Sequence, residues 1–155
     1  MENMEIEKKY MVKKLPDLEK YDRHIITQAY LCTDPTVRIR RQDDDYYMTY
    51  KGKGLLAHEE YNLPLTKEGY EHLLTKADGY VISKTRYLIP IKNNLTVELD
   101  VFDKPFAPLI MAEVEFPDME TANAYQPESW LGVEVTGRKE FSNSNMSKTG
   151  QCPTV

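Results

Sequence analysis

Positive charge is in short supply in this chain of 155 residues: 20 Lys and Arg stand against 25 Asp and Glu, for a formal net charge of −5. A nonspecific nucleic-acid binder is usually basic, so no nucleic-acid partner is expected. Cysteine is scarce too. Cys32 and Cys152 lie far apart and neither has metal-type spacing, which favours free thiols in a cytoplasmic protein over a thiolate metal site. No apolar run approaches the roughly 20 residues of a membrane helix, so no membrane partner is expected. The N-terminus lacks a basic stretch followed by an apolar one, and a secretory signal is not expected. His24, His58 and His72 are isolated, and read as surface or hydrogen-bonded residues rather than ligands. "GKG" at 52–54 lacks the G-x-x-x-x-G-K-[ST] spacing of a P-loop, and "DDD" at 43–45 fails the spacing of a calcium loop. With neither a repeat nor a linker, the length suits one domain, 1–155, in which the Ser- and Asn-rich tail after about Phe141 forms a short helix or a frayed end.

Period-two alternation, by contrast, is abundant. It predicts strands near 3–12, 24–31, 36–42, 46–51, 57–64, 80–90, 95–103, 109–116 and 132–136. "QDDD" (42–45) and "KNN" (92–94) separate two pairs of these runs, and Asn and Asp tolerate the left-handed backbone of tight antiparallel turns. One helix is well marked: Thr66 can cap it, Tyr70, Leu73, Leu74 and Ala77 share a face, and Gly79 can end it. Shorter helices are expected at 14–21, with Pro16 in the first turn, and at 117–125.

Six of the strands carry doubled charges on one face. "EIEKK" aligns Glu5, Glu7 and Lys9; "VRIR" aligns Arg38 and Arg40; "YKGK" aligns Lys51 and Lys53. "SKTR" aligns Lys84 and Arg86, "VELD" aligns Glu98 and Asp100, and "AEVE" aligns Glu113 and Glu115. A sheet with one wet face would account for any single strand. Across six strands the signs are sorted, apart from the first strand, which carries both, and like charges repel unless opposite charge lies between them. A closed antiparallel barrel with a polar, ligand-bearing interior satisfies that demand, with the apolar faces turned outward under helices. The fold class is therefore α+β and mostly β, the inverse of a small barrel filled by packed side chains.

The basic set suits a compact polyanion, since the planar fork of Arg matches phosphate oxygens. The acidic set, without Cys or His among its pairs, offers oxygen ligands suited to Mg²⁺ or Mn²⁺ over zinc. Magnesium is usually held by a few carboxylates together with the phosphates of its substrate.

At this point the motifs resemble those of a known family. "EIEKK" fits the E-x-E-x-K signature of the CYTH superfamily, the triphosphate tunnel metalloenzymes. "TQAYL", "VRIR", "TYKGKG", "ISKTRY", "VELDVF" and "AEVEF" follow in family order, and "SWLGVEVTG" (129–137) resembles the C-terminal signature. The length is similar to that of the short bacterial members. The resemblance implies an eight-stranded antiparallel barrel forming a triphosphate tunnel with a few flanking helices. Lys9, Arg38, Arg40, Lys51, Lys84 and Arg86 would hold the triphosphate, and the alternation of "YKGK" adds Lys53 to the substrate-binding set. Glu5, Glu7, Glu113 and Glu115, with Glu98 and Asp100 beside them, would bind Mg²⁺ or Mn²⁺. Glu7 or Lys9 would orient the attacking water or assist proton transfer. On the strand at 57–64 the family often has R-x-E-x-E; here Glu60 matches one acid and is expected at the substrate, while His58 and Asn62 depart. Arg138 stands where the family commonly carries an acid, a loop variation. Members hydrolyse tripolyphosphate, thiamine triphosphate or nucleoside triphosphates, or cyclise ATP. The expected activity is a metal-dependent triphosphatase acting on tripolyphosphate, ATP or a similar triphosphate-bearing small molecule. A class IV adenylyl cyclase and a noncatalytic polyphosphate-binding module are the alternatives. A homodimer is left open, since no residue pattern marks an interface.

Overall fold

The computed structural model describes residues 4–53 and 56–155; residue 3 of the first expected strand and Gly54 of "GKG" lie outside them. The chain order is β1 (Met4–Val12), β2 (Asp22–Thr33), β3 (Thr36–Gln42), β4 (Asp45–Lys51), β5 (Ala57–Pro64), α1 (Lys67–Leu74), β6 (Asp78–Pro90), β7 (Thr96–Phe102), β8 (Ile110–Glu115), α2 (Met119–Ala124), β9 (Leu131–Glu134) and α3 (Asn143–Thr149). All strand pairings are antiparallel. The hydrogen-bonded order is β5-β4-β3-β2-β6-β7-β8-β1, and pairing of β5 with β1 closes the ring. The result is a closed eight-stranded barrel, with β9 added outside the ring.

β1 closes the barrel by changing partners along its length. Met4, Glu5 and Ile6 pair with β5, Glu7 through Met11 pair with β8, and Tyr10 and Val12 reach β9. Alternation then decides what faces inward. Tyr10 turns outward between inward Lys9 and the next residue; likewise Val97 and Leu99 alternate with Glu98 and Asp100, and Ala112 and Val114 with Glu113 and Glu115.

The apolar core forms three patches: the first two below lie outside the barrel wall, and the third is inward, since Ile82, Phe102 and Met111 share the faces of Lys84, Asp100 and Glu113, and it borders the cavity through Tyr30 and Val135. Tyr10, Val97, Leu99, Ala112 and Val114 pack under Phe116, Ala122, Tyr125 and Leu131. Ala29 and Ile39 pack under Tyr70, with Leu73, Leu74 and Ala77 around it. Tyr30, Ile82, Phe102 and Met111 meet Phe106, Val135, Phe141 and Met146. Phe141 and Met146 are fully buried, each contributing about 1.5–3 kcal/mol by burial. That anchors the segment after residue 138, so the tail is a turn at Lys139–Phe141 followed by α3.

Two local expectations are corrected. At 14–21 there is only a 3-10 turn, Leu18–Lys20, which Asp17 caps by accepting from the Glu19 N–H. α1 starts as expected, with Thr66 accepting from the Gly69 N–H at 2.9 Å, but it ends at Leu74, and Gly79 lies in β6. Gly79 has φ +73°, and a Cβ there would sit 2.3 Å from the Ser147 carbonyl oxygen of α3. Its left-handed backbone lets α3 lie against β6. Gly79→Ala is expected to destabilise the protein by about 2–4 kcal/mol through backbone strain and steric clash, read as a lower midpoint in urea unfolding.

Candidate active site

The barrel encloses a cavity of about 640 Å³. Every strand of the ring reaches it except β7 beyond Glu98, and its lining sorts by sign. β3, β4 and β6 contribute Arg38, Arg40, Lys51, Lys84 and Arg86. β1, β5, β7 and β8 contribute Glu5, Glu7, Glu60, Glu98, Glu113 and Glu115, with Lys9 at the end of the β1 series. Twelve of the fourteen residues expected at the site are thus brought together.

The other two have different places. β4 ends at Lys51, so the alternation does not continue, and Lys53 stands with its side chain 85% exposed, 3.5 Å from Asp34. Asp100 points inward but is 2% exposed and closed off by two cations. It accepts from Arg86 Nε at 2.8 Å and Nη2 at 2.9 Å, and from Lys84 Nζ at 2.8 Å. A carboxylate so occupied braces two cations rather than offering its oxygens to the cavity. Burial opposes its charge, yet Arg86 and Lys84 hold its pKa below the ordinary range. Lys84 itself is pushed down to about 7, by burial first and by Arg86 and Arg40 besides, against the pull of Asp100.

The acidic side is crowded. Burial and the charges of Glu113 and Glu5 push Glu7 well above the usual carboxylate range. Glu113, although buried, is held well below it by Lys9 and Arg86. Of these two neighbouring carboxyls, Glu7 is thus the one that favours its protonated form and Glu113 the one that favours its charged form. Glu115 is pushed up to about 7 by burial and by Glu5, Glu98, Glu60 and Glu113. Glu98 and Glu115 also border a second cavity of about 410 Å³ beside the Asn93–Thr96 turn.

Glu5 behaves differently, because donors surround it. His58 Nε2 and Lys51 Nζ approach the same oxygen, Oε1, at 2.7 and 2.9 Å. Burial opposes its charge, but His58, Glu60 and Lys51 bring its pKa far below the usual value. Burial likewise opposes the charge of Lys51, and Glu7 and Glu5 outweigh it. Oxygens of Glu5 and Glu7 and a nitrogen of His58 lie within 4.8 Å of one another, an arrangement able to hold a metal ion. The chemistry of this donor set fits a hard divalent cation: carboxylates crowded enough to retain a proton are those a cation would release it from.

Neutral residues complete the wall, and of these the sequence singled out only Asn62, as a departure. Thr49 accepts from Arg38 Nη2 at 3.1 Å and donates to Asn62 Oδ1 at 2.6 Å. Asn62 Nδ2 donates to Glu60 at 3.1 Å, so the departure at this position ties the arginine side of the cavity to the acidic side. Gln28 accepts from Arg40, as Tyr47 does at 3.3 Å. Arg138 borders the cavity beside Glu140 at 3.2 Å. Inward alternation in β2 and β4 was a usable signal for Gln28, Tyr47 and Thr49; none existed for Asn143 in the tail.

Residues 3–130 match the family model of the CYTH domain. An inorganic triphosphatase of Nitrosomonas europaea is 36% identical over 147 residues, 92% of this chain and 96% of its own. One from Acetivibrio thermocellus is 36% identical over 151 residues, 93% of each chain. The crystal structure of an inorganic triphosphatase is similar with a TM-score of 0.69 and 34% identity, covering 92% of this chain and 93% of that one.

Because the folded pKa of Asp100 lies below its unfolded value of about 3.9, its stabilising contribution is complete at neutral pH and is lost as the pH falls through that value toward the folded one. Asp100→Ala is expected to cost about 3–5 kcal/mol at pH 7, since it leaves two buried cations without their partner. Urea unfolding against pH should show wild type and variant converging on acidification.

Proposed function

The chain belongs to the CYTH family, and on that premise we propose that it is a divalent-metal-dependent triphosphatase that hydrolyses inorganic tripolyphosphate inside its barrel. The observation that carries this reading is the sorted lining of one enclosed cavity, cations on β3, β4 and β6 facing carboxylates on β1, β7 and β8. Relatives at 36% identity over nine-tenths of the chain, named inorganic triphosphatases, support it.

Phosphoryl transfer requires positioning and charge neutralisation more than covalent help. Arg38, Arg40, Lys51, Lys84 and Arg86 stretch the triphosphate along the cavity. Arg38 is suited to receive phosphate oxygens, because its buried Nε has no protein partner among the described residues. The triphosphate's charge also favours the protonated form of Lys84, against the burial that opposes it. Glu5, Glu7, Glu113 and Glu115, with Glu98 beside them, are the residues that would hold Mg²⁺ or Mn²⁺. When bound, such an ion supplies neutralisation of phosphate oxygens and a more acidic water. Water attacks the terminal phosphorus, the phosphoanhydride P–O bond breaks, and orthophosphate and pyrophosphate result. Lys9 Nζ donates to the Phe141 carbonyl at 3.2 Å, and Glu7, which crowding keeps protonated, would become an acceptor for the water's proton only once a bound cation had displaced its own.

Purified protein with Mg²⁺ or Mn²⁺ is expected to release phosphate from tripolyphosphate. Chelator should abolish turnover, and Glu113→Ala should lower kcat by at least about 100-fold, as loss of a charge-organising group does. Cyclic AMP and pyrophosphate formed from ATP would instead assign a cyclase. Tight tripolyphosphate binding with no product from either compound would assign a binding module.

A further inference from the structure

The cations of the cavity are held in two different ways. Arg86 is braced by carboxylates, with Asp100 on Nε and Nη2 and Glu98 3.4 Å from Nη1. Arg40 is braced by neutral groups. Gln28 Oε1 accepts from its Nε at 2.8 Å and from its Nη2 at 2.5 Å, and the Tyr47 hydroxyl accepts from Nη1. A carboxylate partner cancels most of the charge it orients, whereas an amide partner orients the guanidinium and leaves its charge intact.

Gln28 is fully buried, and its other end continues the chain of bonds. Its Nε2 donates to Asn143 Oδ1 at 3.1 Å, and the same oxygen accepts from Lys84 Nζ at 3.0 Å. Chemistry dictates both amide orientations. Guanidinium and ammonium groups only donate, so Gln28 must turn its oxygen to Arg40 and Asn143 must turn its oxygen to Lys84. The remaining Gln28–Asn143 contact then has a donor on one side and an acceptor on the other. The four residues come from β3, β2, α3 and β6, elements whose packing sets the distance between the two cations.

We propose that Gln28 and Asn143 are positioning residues: a neutral amide bridge that fixes Arg40 and Lys84 relative to one another and so sets the register of the bound triphosphate. The proposal rests on the triphosphatase reading. Its substrate requirement is an anion with phosphate oxygens spaced to meet both cations at once. The bridge also explains why the last helix belongs to the site although its sequence carries no charged motif. Asn143 opens α3, and α3 is anchored by the buried Met146.

The discriminating variant is Gln28→Glu. It keeps the side-chain shape and strengthens the bonds to Arg40, but it cancels the charge of Arg40 and removes the donor to Asn143. A purely structural role predicts a variant that works as wild type. The bridge predicts a rise in KM for tripolyphosphate of about tenfold or more, with kcat changed far less, and a melting temperature near wild type. Gln28→Met and Asn143→Ala are each expected to raise KM. The double variant should raise it no further than the worse single, because both remove the same link. Wild-type KM in Gln28→Glu, or additive effects in the double variant, would overturn the bridge. Calorimetric binding of tripolyphosphate separates the two readings. Wild-type protein that releases no phosphate overturns the activity, and the bridge then stands or falls on whether the variants bind tripolyphosphate more weakly. Wild-type protein that neither binds nor cleaves it overturns both.

Discussion

A carboxylate lodged between two buried cations, Asp100 against Lys84 and Arg86, is the constraint from which the rest of this molecule follows. A closed barrel lined by like charges on neighbouring strands would be driven apart in a low dielectric. Asp100 relieves β6 of that repulsion, and the His58–Glu5–Lys51 contacts do the same where β1 closes on β5. The neutralisation is incomplete. Arg38 and Arg40 rest on hydroxyls and an amide, and the carboxylates at Glu7, Glu113 and Glu115 crowd one another. The residual imbalance, positive on one wall and negative on the other, is what a polyanion accompanied by a cation would complete.

Around the charged cavity, stability and chemistry are assigned to opposite faces of the same strands, while Ile82, Phe102 and Met111 continue the inward faces as apolar core. Val97 and Leu99 pack outward against the segment around Tyr125, while Glu98 and Asp100 face in. Successive residues thus serve different ends, and a shift of one residue in any register would exchange them. The helices contribute chiefly by covering the outward faces. α3 is the exception, since its Met146 packs with Ile82, on the inward face of β6, and its Asn143 reaches the cavity.

Much of this was legible in the sequence because a strand's period of two is read directly from residue order. The inward pairs Arg38/Arg40, Lys84/Arg86 and Glu113/Glu115 needed no tertiary information. Lys53 was misplaced because alternation says nothing about where a strand stops. Asp100 was assigned to metal because sequence shows which way a side chain points and not how deep it lies or who reaches it first. Gln28 and Asn143 were missed for a related reason: a neutral amide is conspicuous only once the cations it bridges are seen in space. Gly79 read as a helix end because its left-handed backbone fits a cap as well as it fits a close approach by α3.

The three partners of β1 have a consequence for how the chain comes to be folded. Glu5 meets His58, Lys9 meets Glu113 and Tyr10 meets Glu134, contacts spanning from one third to most of the chain. During synthesis the part of the first strand from Glu7 onward must wait, with its apolar Tyr10 face exposed, until the eighth and ninth strands emerge. Such nonlocal closure makes for slow, cooperative assembly. A growing chain therefore has no working half-barrel: the acidic wall forms only when the two ends of the sequence meet, and the capacity to hold a polyanion arrives in one step.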